Sequence, residues 1–171
     1  AKERARLARA GDLVPVRHGA YADAPAASAL DRHRQLIAGT VPLLGEGTVL
    51  SHISAGVVHG LPTWESMLGR VTVLRPPDSH GAQRRYLFAR CAAVTDGEVV
   101  SLEELRVTSL ERTAVDLACC LDSDRAVAVV DAALHQGADH ATVLAILAAA
   151  AGRHGVATAR AAVAFADARA E

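Results

Sequence analysis

Aromatic residues are scarce in this sequence, at 3% of its 171 residues. A hydrophobic core must therefore be built mainly from the Ala, Val and Leu residues within the 51% apolar fraction. Because alanine is the strongest helix former, this composition favours substantial helix. The length suits one domain of ordinary size or two small ones.

Cysteine is also rare, with three residues, of which Cys119 and Cys120 are adjacent. An odd number without a Cys-x-x-Cys pair argues against a disulfide framework and against a zinc site, and is typical of thiols in a reducing compartment. The sequence contains no apolar run of about 18 residues, and its charged start, AKERARLARAGD, lacks the apolar segment of a signal peptide. We therefore expect a cytoplasmic protein with no membrane partner.

The motifs of common enzyme sites are missing. The sequence has no P-loop, no G-x-G-x-x-G, no H-E-x-x-H and no G-x-S-x-G segment. His135 and His140 are five residues apart, and Glu103 and Glu104 would face opposite ways on a strand. We predict no catalytic residue, no metal site, no cofactor and no enzyme activity for this chain.

The formal net charge of −1 hides an asymmetry along the chain. Residues 1–90 hold 12 Lys/Arg and 7 Asp/Glu, a balance of +5, whereas residues 91–171 hold 6 and 12, a balance of −6. This asymmetry indicates different partners for the two halves, although solvent-exposed faces also differ in charge by chance.

Periodicity and turn residues predict an α+β fold in three parts. A partial winged helix-turn-helix occupies residues 1–25, a small mixed α/β domain residues 26–108, and a C-terminal helical bundle residues 109–171. The first part combines a basic helix, which ends at Gly11, with a short hairpin that turns at His18-Gly19.

Further elements are predicted along the rest of the chain. A linker at 23–28 precedes a helix that begins at Ala29 and buries Leu36 and Ile37. The strands are predicted at 70–76, at 84–90 after a polar loop at 78–85, and within 98–108, most clearly at 105–108. Four C-terminal helices are predicted at 109–121, 123–136, 140–151 and 156–169.

The segment SHISAGVVHGLP, residues 51–62, contains two histidines and two serines. Ser51 stands at an N-cap position, and Gly60 and Pro62 are stop signals, so a helix is predicted at 52–59. His52 and His59 would share a face but lie about 10 Å apart, and Ser54 diverges from His59 by about 140°, which argues against a shared metal ion and a Ser–His pair. Structural roles are favoured, and a contact role for His52 stays open.

The segment VTSLERTAVDLA, residues 107–118, also contains the start signal of a helix. Ser109 is the expected cap of the following helix. Arg112 and Asp116 are spaced i, i+4 and can pair on the helix surface, at a few tenths of a kcal/mol if exposed. The alternative for Arg112 is a contact with an anion.

Three segments, in order and spacing, resemble actinobacterial proteins of the AbiEi antitoxin type. LARAGDLVPVRHGAYA is similar to the end of a recognition helix and its wing, VLSHISAGVVHGLP to an LSHxSAAxLHGLP segment, and LRVTSLERTAVDLA to a VTSxxRTxxDLA segment. The resemblance covers nearly the whole chain and implies a winged helix followed by an α/β and helical domain. The sequence departs from the pattern because it begins within the expected winged helix.

The resemblance implies a DNA-binding transcriptional regulator like the antitoxin of a type IV toxin–antitoxin system, which represses its own operon and counters a nucleotidyltransferase-like toxin. Double-stranded operator DNA and a toxin protein are then the expected partners, and a homodimer is conceivable. The alternatives are a protein-interaction module, or the non-catalytic part of a DNA-processing protein with a very-short-patch-repair-like nuclease domain after Glu171.

Candidate DNA contacts are the basic residues of the first half. The predicted helix and wing supply Lys2, Arg4, Arg6, Arg9, Arg17 and His18, and a second group comprises Arg70, Arg75, Arg84, Arg85 and Arg90. Such residues would bind phosphates, which gives affinity and salt dependence. An alternative of equal weight is that the second group lies on solvent-exposed strand edges, where basic residues prevent aggregation.

Overall fold

Helices and strands are mixed throughout residues 13–167, the part of the chain that the computed structural model describes. The predicted α+β class is therefore confirmed. The predicted basic helix with Lys2, Arg4, Arg6 and Arg9 lies outside the described residues.

The elements of this part are as follows, in chain order. The strands are β1 Val14–Arg17, β2 Ala20–Ala22, β3 Val49–Leu50, β4 Val71–Arg75, β5 Ala82–Arg84, β6 Leu87–Cys91, β7 Val99–Leu102 and β8 Leu105–Thr108. The α-helices are α1 Ala29–Thr40, α2 His52–His59, α3 Leu110–Ala118, α4 Ser123–His135, α5 His140–Ala149 and α6 Val156–Asp167.

These elements form two compact units. Unit 1 comprises residues 13–48 and 64–93, and unit 2 comprises residues 49–63 and 94–167. This division differs from the three predicted segments, whose boundaries stay a prediction. No helix within the described range is long and apolar enough to cross a membrane.

Unit 1 begins with the predicted hairpin and helix. Strands β1 and β2 pair antiparallel, and Gly19 in the turn has a φ of +78°, which glycine adopts without a steric penalty. The hairpin packs against α1. Helix α1 starts at the cap Ser28, whose Oγ accepts from the Asp31 backbone N–H at 3.0 Å, and it buries Leu36 and Ile37 as predicted.

The remaining strands of unit 1 lie in the order β5-β6-β4, with β6 parallel to β4 and antiparallel to β5. The predicted strand at 70–76 is confirmed as β4, but the predictions at 78–85 and 84–90 were wrong in detail. Residues 82–84 form a short edge strand, and a two-residue turn separates it from β6. Gln83 and Arg84 are exposed, so this edge lacks the apolar alternation that marks a strand in sequence.

Unit 2 holds three strands in the order β3-β8-β7, with β3 parallel to β8 and β7 antiparallel to it. Helix α2 follows β3, and helix α3 follows β8. The helix predicted at 52–59 is confirmed, and it ends at Gly60, which has a φ of +73°. The four C-terminal helices are also confirmed, although α3 ends earlier than predicted, at Ala118.

Helix α3 contacts the other helices of unit 2 and is buried along almost its whole length. Val115 and Leu117 are fully buried, as are Val129 of α4 and Ala159 of α6. Small residues make this packing possible. At Gly155, a Cβ atom would overlap the carbonyl oxygen of Cys119, and the φ of +75° also requires glycine.

Candidate functional site

The hairpin of unit 1 places the two predicted wing residues differently. Arg17 is half-buried, and its Nη1 donates to the Thr40 hydroxyl at 3.0 Å, which ties the hairpin to the end of α1. Next to it Ala20 lies so close to Gly39 that a Cβ there would come within 2.7 Å of the Ala20 Cβ. Arg17 therefore holds the hairpin in place, whereas His18 is exposed at the turn.

Three of the other predicted contacts lie at one end of the β5-β6-β4 strands. Val71 pairs with Leu87, and Leu87 pairs with Arg84, so these three residues form one row across the strands. Arg70 directly precedes this row and Arg85 directly follows Arg84. Arg70, Arg84 and Arg85 are all exposed, and we call them the arginine end.

The two remaining arginines, Arg75 and Arg90, lie at the opposite end of β4 and β6. Arg75 Nη1 donates to the carbonyl oxygen of His80 at 3.0 Å, so this side chain is used by its own loop. The guanidinium of Arg90 lies 4.9 Å from the ring centroid of Phe88. At the arginine end, the guanidinium of Arg85 lies 4.9 Å from the ring centroid of Tyr86.

The arginine end carries charge that unit 1 does not neutralise. Among residues 13–167, none of Arg70, Arg84 and Arg85 takes part in an ion pair. The described residues of unit 1 include 8 Arg and 5 Asp/Glu, a balance of +3. Those of unit 2 include 5 Arg and 11 Asp/Glu, a balance of −6, so the charge asymmetry of the sequence follows the two units.

The histidine-containing segment of unit 2 forms a buried polar cluster. Ser51 and Ser54 are fully buried, and His52 is only 6% exposed. Ser51 occupies the N-cap position of α2 but makes no capping hydrogen bond with its side chain; its Oγ lies 3.0 Å from His52 Nδ1 instead. His52 has a φ of +47°, a left-handed conformation that histidine tolerates better than most residues.

His59 also makes a structural contact within unit 2. Its Nε2–H donates to the carbonyl oxygen of Thr108 at 2.7 Å, so it joins α2 to the end of β8. The Thr108 and Thr113 hydroxyls lie 2.7 Å apart, and both residues are fully buried. These contacts support the structural interpretation of His52 and His59 and leave little access for a ligand.

Arg112 and Asp116 pair as predicted, but they are buried rather than on the helix surface. Arg112 Nε donates to Asp116 Oδ2 at 2.9 Å, and Arg112 Nη1 donates to Glu98 Oε1 at 2.8 Å. Arg153 Nη2 donates to Asp116 Oδ1 at 2.7 Å. Asp116 is fully buried. Arg112 and Asp116 are the centre of a network of four residues, with Glu98 and Arg153, that joins three segments of unit 2.

The network shifts the pKa of two of its members, Arg112 and Glu98. Burial alone would lower the pKa of Arg112, but the adjacent carboxylates of Asp116 and Glu98 outweigh it and raise that pKa. Burial likewise opposes ionisation of Glu98, yet hydrogen bonds from Thr95 and Arg112 and the charge of Arg112 hold its pKa below the usual range. The guanidinium of Arg112 already donates to two carboxylates, those of Asp116 and Glu98, which leaves it no role in binding an anion.

Sequence reasoning missed Glu98 and Arg153 as members of this network. Thr95 and Glu98 form a capping box at a short 3-10 turn, and the Thr-x-x-Glu spacing could have identified Glu98 as an ordered residue. Ser109 was correctly identified, since its Oγ accepts from the Arg112 backbone N–H at 3.2 Å. Arg153 lies 37 residues from Asp116, and no local signal indicates that contact.

Within the described part of the chain, no group of three or more His, Cys, Asp or Glu residues could hold a metal ion. Comparisons with protein-family models, with curated proteins and with solved structures find no match for this chain. The candidate site consequently rests on the chain's own geometry, and the arginine end of unit 1 is the surface best suited to bind an anionic partner.

Proposed function

We propose that this protein is a DNA-binding transcriptional regulator of the AbiEi antitoxin type. The observation that carries the proposal is the separation of charge: exposed arginines that form no ion pair with other described residues lie on unit 1, whereas the described part of unit 2 is strongly acidic. Duplex DNA carries one negative charge per about 1.7 Å of its axis, so a basic surface of this kind gains affinity through counterion release. The winged-helix assignment and the antitoxin role rest on the resemblance of the three sequence segments.

In this proposal the hairpin with His18 is the wing, and the protein represses its own operon in the cytoplasm. The test is a mobility-shift titration of the whole chain on a duplex of its own promoter, repeated at rising salt. We expect the logarithm of the binding constant to fall linearly with the logarithm of salt concentration. A duplex of scrambled sequence is the control for operator preference.

Two results would contradict the proposal. One is the absence of binding to either duplex at low salt. The other is binding whose strength does not change with salt, because contacts with phosphates cannot behave in this way.

A protein-interaction role for unit 2 is the second candidate. Its helix α5 exposes an almost uncharged face, in which Leu144 is 48% exposed and is accompanied by Ala141, Ala145 and Ala148. Exposed apolar surface within an acidic unit suits a partner that combines apolar and basic residues, such as a toxin. We expect the protein to co-purify with the product of the neighbouring gene, and separate elution of the two after mixing would contradict this candidate.

A further inference from the structure

We infer that the arginine end, Arg70, Arg84 and Arg85, is a phosphate-binding site that follows the backbone of duplex DNA. The inference rests on the proposed DNA-binding function and assigns it to a surface separate from the hairpin of β1 and β2. The basis is geometric: Arg84 lies in the row that runs from β5 through Leu87 to Val71, and Arg85 and Arg70 are the chain neighbours of its two end residues. All three side chains are exposed, and none forms an ion pair with another residue in the range 13–167.

The register determines how far apart these side chains start. Neighbouring strands are about 4.8 Å apart, so the positions on β4 and β5 are separated by about 10 Å across β6. Both pairs of strands are hydrogen-bonded at this end. Between β4 and β6, the Val71 N–H donates to the Tyr86 carbonyl at 3.0 Å, and between β6 and β5, Leu87 pairs with Arg84. Because phosphates follow each other at about 3.4 Å of axial rise per strand, a row of this length spans about three of them.

The contacts around the arginine end leave its guanidinium groups charged and their hydrogen-bond donors available. Arg85 is held over the Tyr86 ring at 4.9 Å, a contact that restrains the side chain while its hydrogen-bond donors remain available. Arg75, at the opposite end of β4, is different because its Nη1 already donates to the carbonyl oxygen of His80. Arginine presents donors in a planar fork that matches phosphate oxygens, so three such groups form a suitable surface for a regular chain of phosphates.

The test compares two triple variants of the whole chain. Arg70→Ala, Arg84→Ala and Arg85→Ala remove the arginine end. Arg32→Ala, Arg106→Ala and Arg160→Ala are the matched control, since all three are exposed and the change in net charge is the same. Circular dichroism and thermal unfolding establish that both variants fold.

The measured quantity is the slope of log binding constant against log salt concentration for duplex DNA. Each lost phosphate contact lowers the slope by about 0.9, so the arginine-end variant should lose between about 2 and 3 units of slope. Its affinity at about 0.1 M salt should fall on the order of a hundredfold. The control variant should keep the slope of the unmodified chain.

The outcomes separate the inference from the proposed function. If the unmodified chain binds DNA with the expected salt dependence and the arginine-end variant binds equally well, the inference is overturned and the function stands. If the unmodified chain does not bind DNA, both are overturned. The same titration is repeated with poly-glutamate. If the unmodified chain binds poly-glutamate and the arginine-end variant loses that binding but keeps its binding to DNA, the site binds acidic protein and the inference is likewise overturned.

Discussion

At the scale of single residues, Asp116 is the buried carboxylate at the centre of the ion-pair network of unit 2. It is fully buried and accepts from both Arg112 and Arg153. Replacing it by asparagine preserves its shape but removes one of the two carboxylates that pair with the buried Arg112. We expect Asp116→Asn to lower the free energy of unfolding by about 3 kcal/mol, measured by urea denaturation.

The matched control for this change is Asp131→Asn on the exposed side of α4, which should stay within about 0.5 kcal/mol of the unmodified chain. Equal stability of Asp116→Asn and the unmodified chain would show that the network contributes little, as some buried ion pairs do.

His33 gives unit 1 a dependence on pH. It is fully buried, its Nδ1–H donates to the Leu68 carbonyl at 2.7 Å, and burial lowers its pKa against the opposing effect of this hydrogen bond. The unfolded chain therefore takes up a proton at a higher pH than the folded chain does. Stability should fall as the pH drops below the ordinary histidine value of about 6.5.

The measurement is the free energy of unfolding between about pH 7.5 and pH 5, together with an NMR titration of the His33 ring. The titration midpoint should lie below that of an unfolded histidine. Glu98 acts in a separate and more acidic range: its folded pKa is also lowered, so its contribution is present above the pKa of an unfolded glutamate and is lost as the pH falls toward the folded value. A midpoint of His33 at or above 6.5 would contradict the prediction.

At the scale of elements, the turn between β7 and β8 has an unfavourable sequence for its shape. Leu102 pairs with Leu105, so the loop has two residues, Glu103 and Glu104, with φ values of +48° and +64°. Positive φ at both positions defines a type I′ turn, for which Asn-Gly is the preferred sequence. We expect Glu103→Asn with Glu104→Gly to stabilise the chain by about 1 kcal/mol.

Both glutamates are exposed, so the exchange removes no packing. Thermal unfolding measures the gain, and Glu104→Ala is the control because alanine keeps the steric cost of a positive φ. A gain with alanine as large as with Asn-Gly would trace the effect to charge instead of turn geometry.

Long, periodic or well-punctuated elements were the ones that the sequence could predict. Helix α2 was predicted with its correct bounds because Gly60 and Pro62 end it. The C-terminal helices were separated correctly at Asp122, at Gly137 and at residues 152–155. Strand β5 was missed because its exposed polar residues carry no alternation. Glu103 and Glu104 were assigned to a strand because glutamate is an unusual residue in a type I′ turn.

For the candidate site too, the sequence predicts the residue types but not the tertiary contacts that select among them. Sequence reasoning selected the arginines as a group, but it could not divide Arg70, Arg84 and Arg85 from Arg75 and Arg90. That division depends on the register of three strands and on the hydrogen bond that Arg75 donates to the His80 carbonyl oxygen. Likewise, the i, i+4 spacing predicted the pair of Arg112 and Asp116, whereas its burial depends on tertiary packing.

At the scale of the whole molecule, the two units carry opposite charge, and this should modulate binding to any polyanion. Neutralising three exposed acidic residues of unit 2 with Asp122→Asn, Asp124→Asn and Asp131→Asn reduces its repulsion of DNA. We expect DNA affinity to rise a few fold, on the order of threefold, at about 0.01 M salt, where charges act over about 30 Å.

At about 0.3 M salt the same variant and the unmodified chain should bind alike because the charges are screened. The charge-preserving exchange of the three aspartates for glutamates is the control and should leave the affinity unchanged at both concentrations. A gain that persists at high salt would point to a direct contact at these positions.

The hydrogen bond between Arg17 and Thr40 has a consequence for recognition. With Gly39 leaving room for Ala20 and the Arg17 guanidinium held at the end of α1, the hairpin is preorganised before any partner arrives. A macromolecule that binds at the exposed His18 turn then loses little binding energy to the ordering of backbone. In the proposed DNA-binding function, Arg17 therefore contributes to affinity by ordering the turn that carries His18.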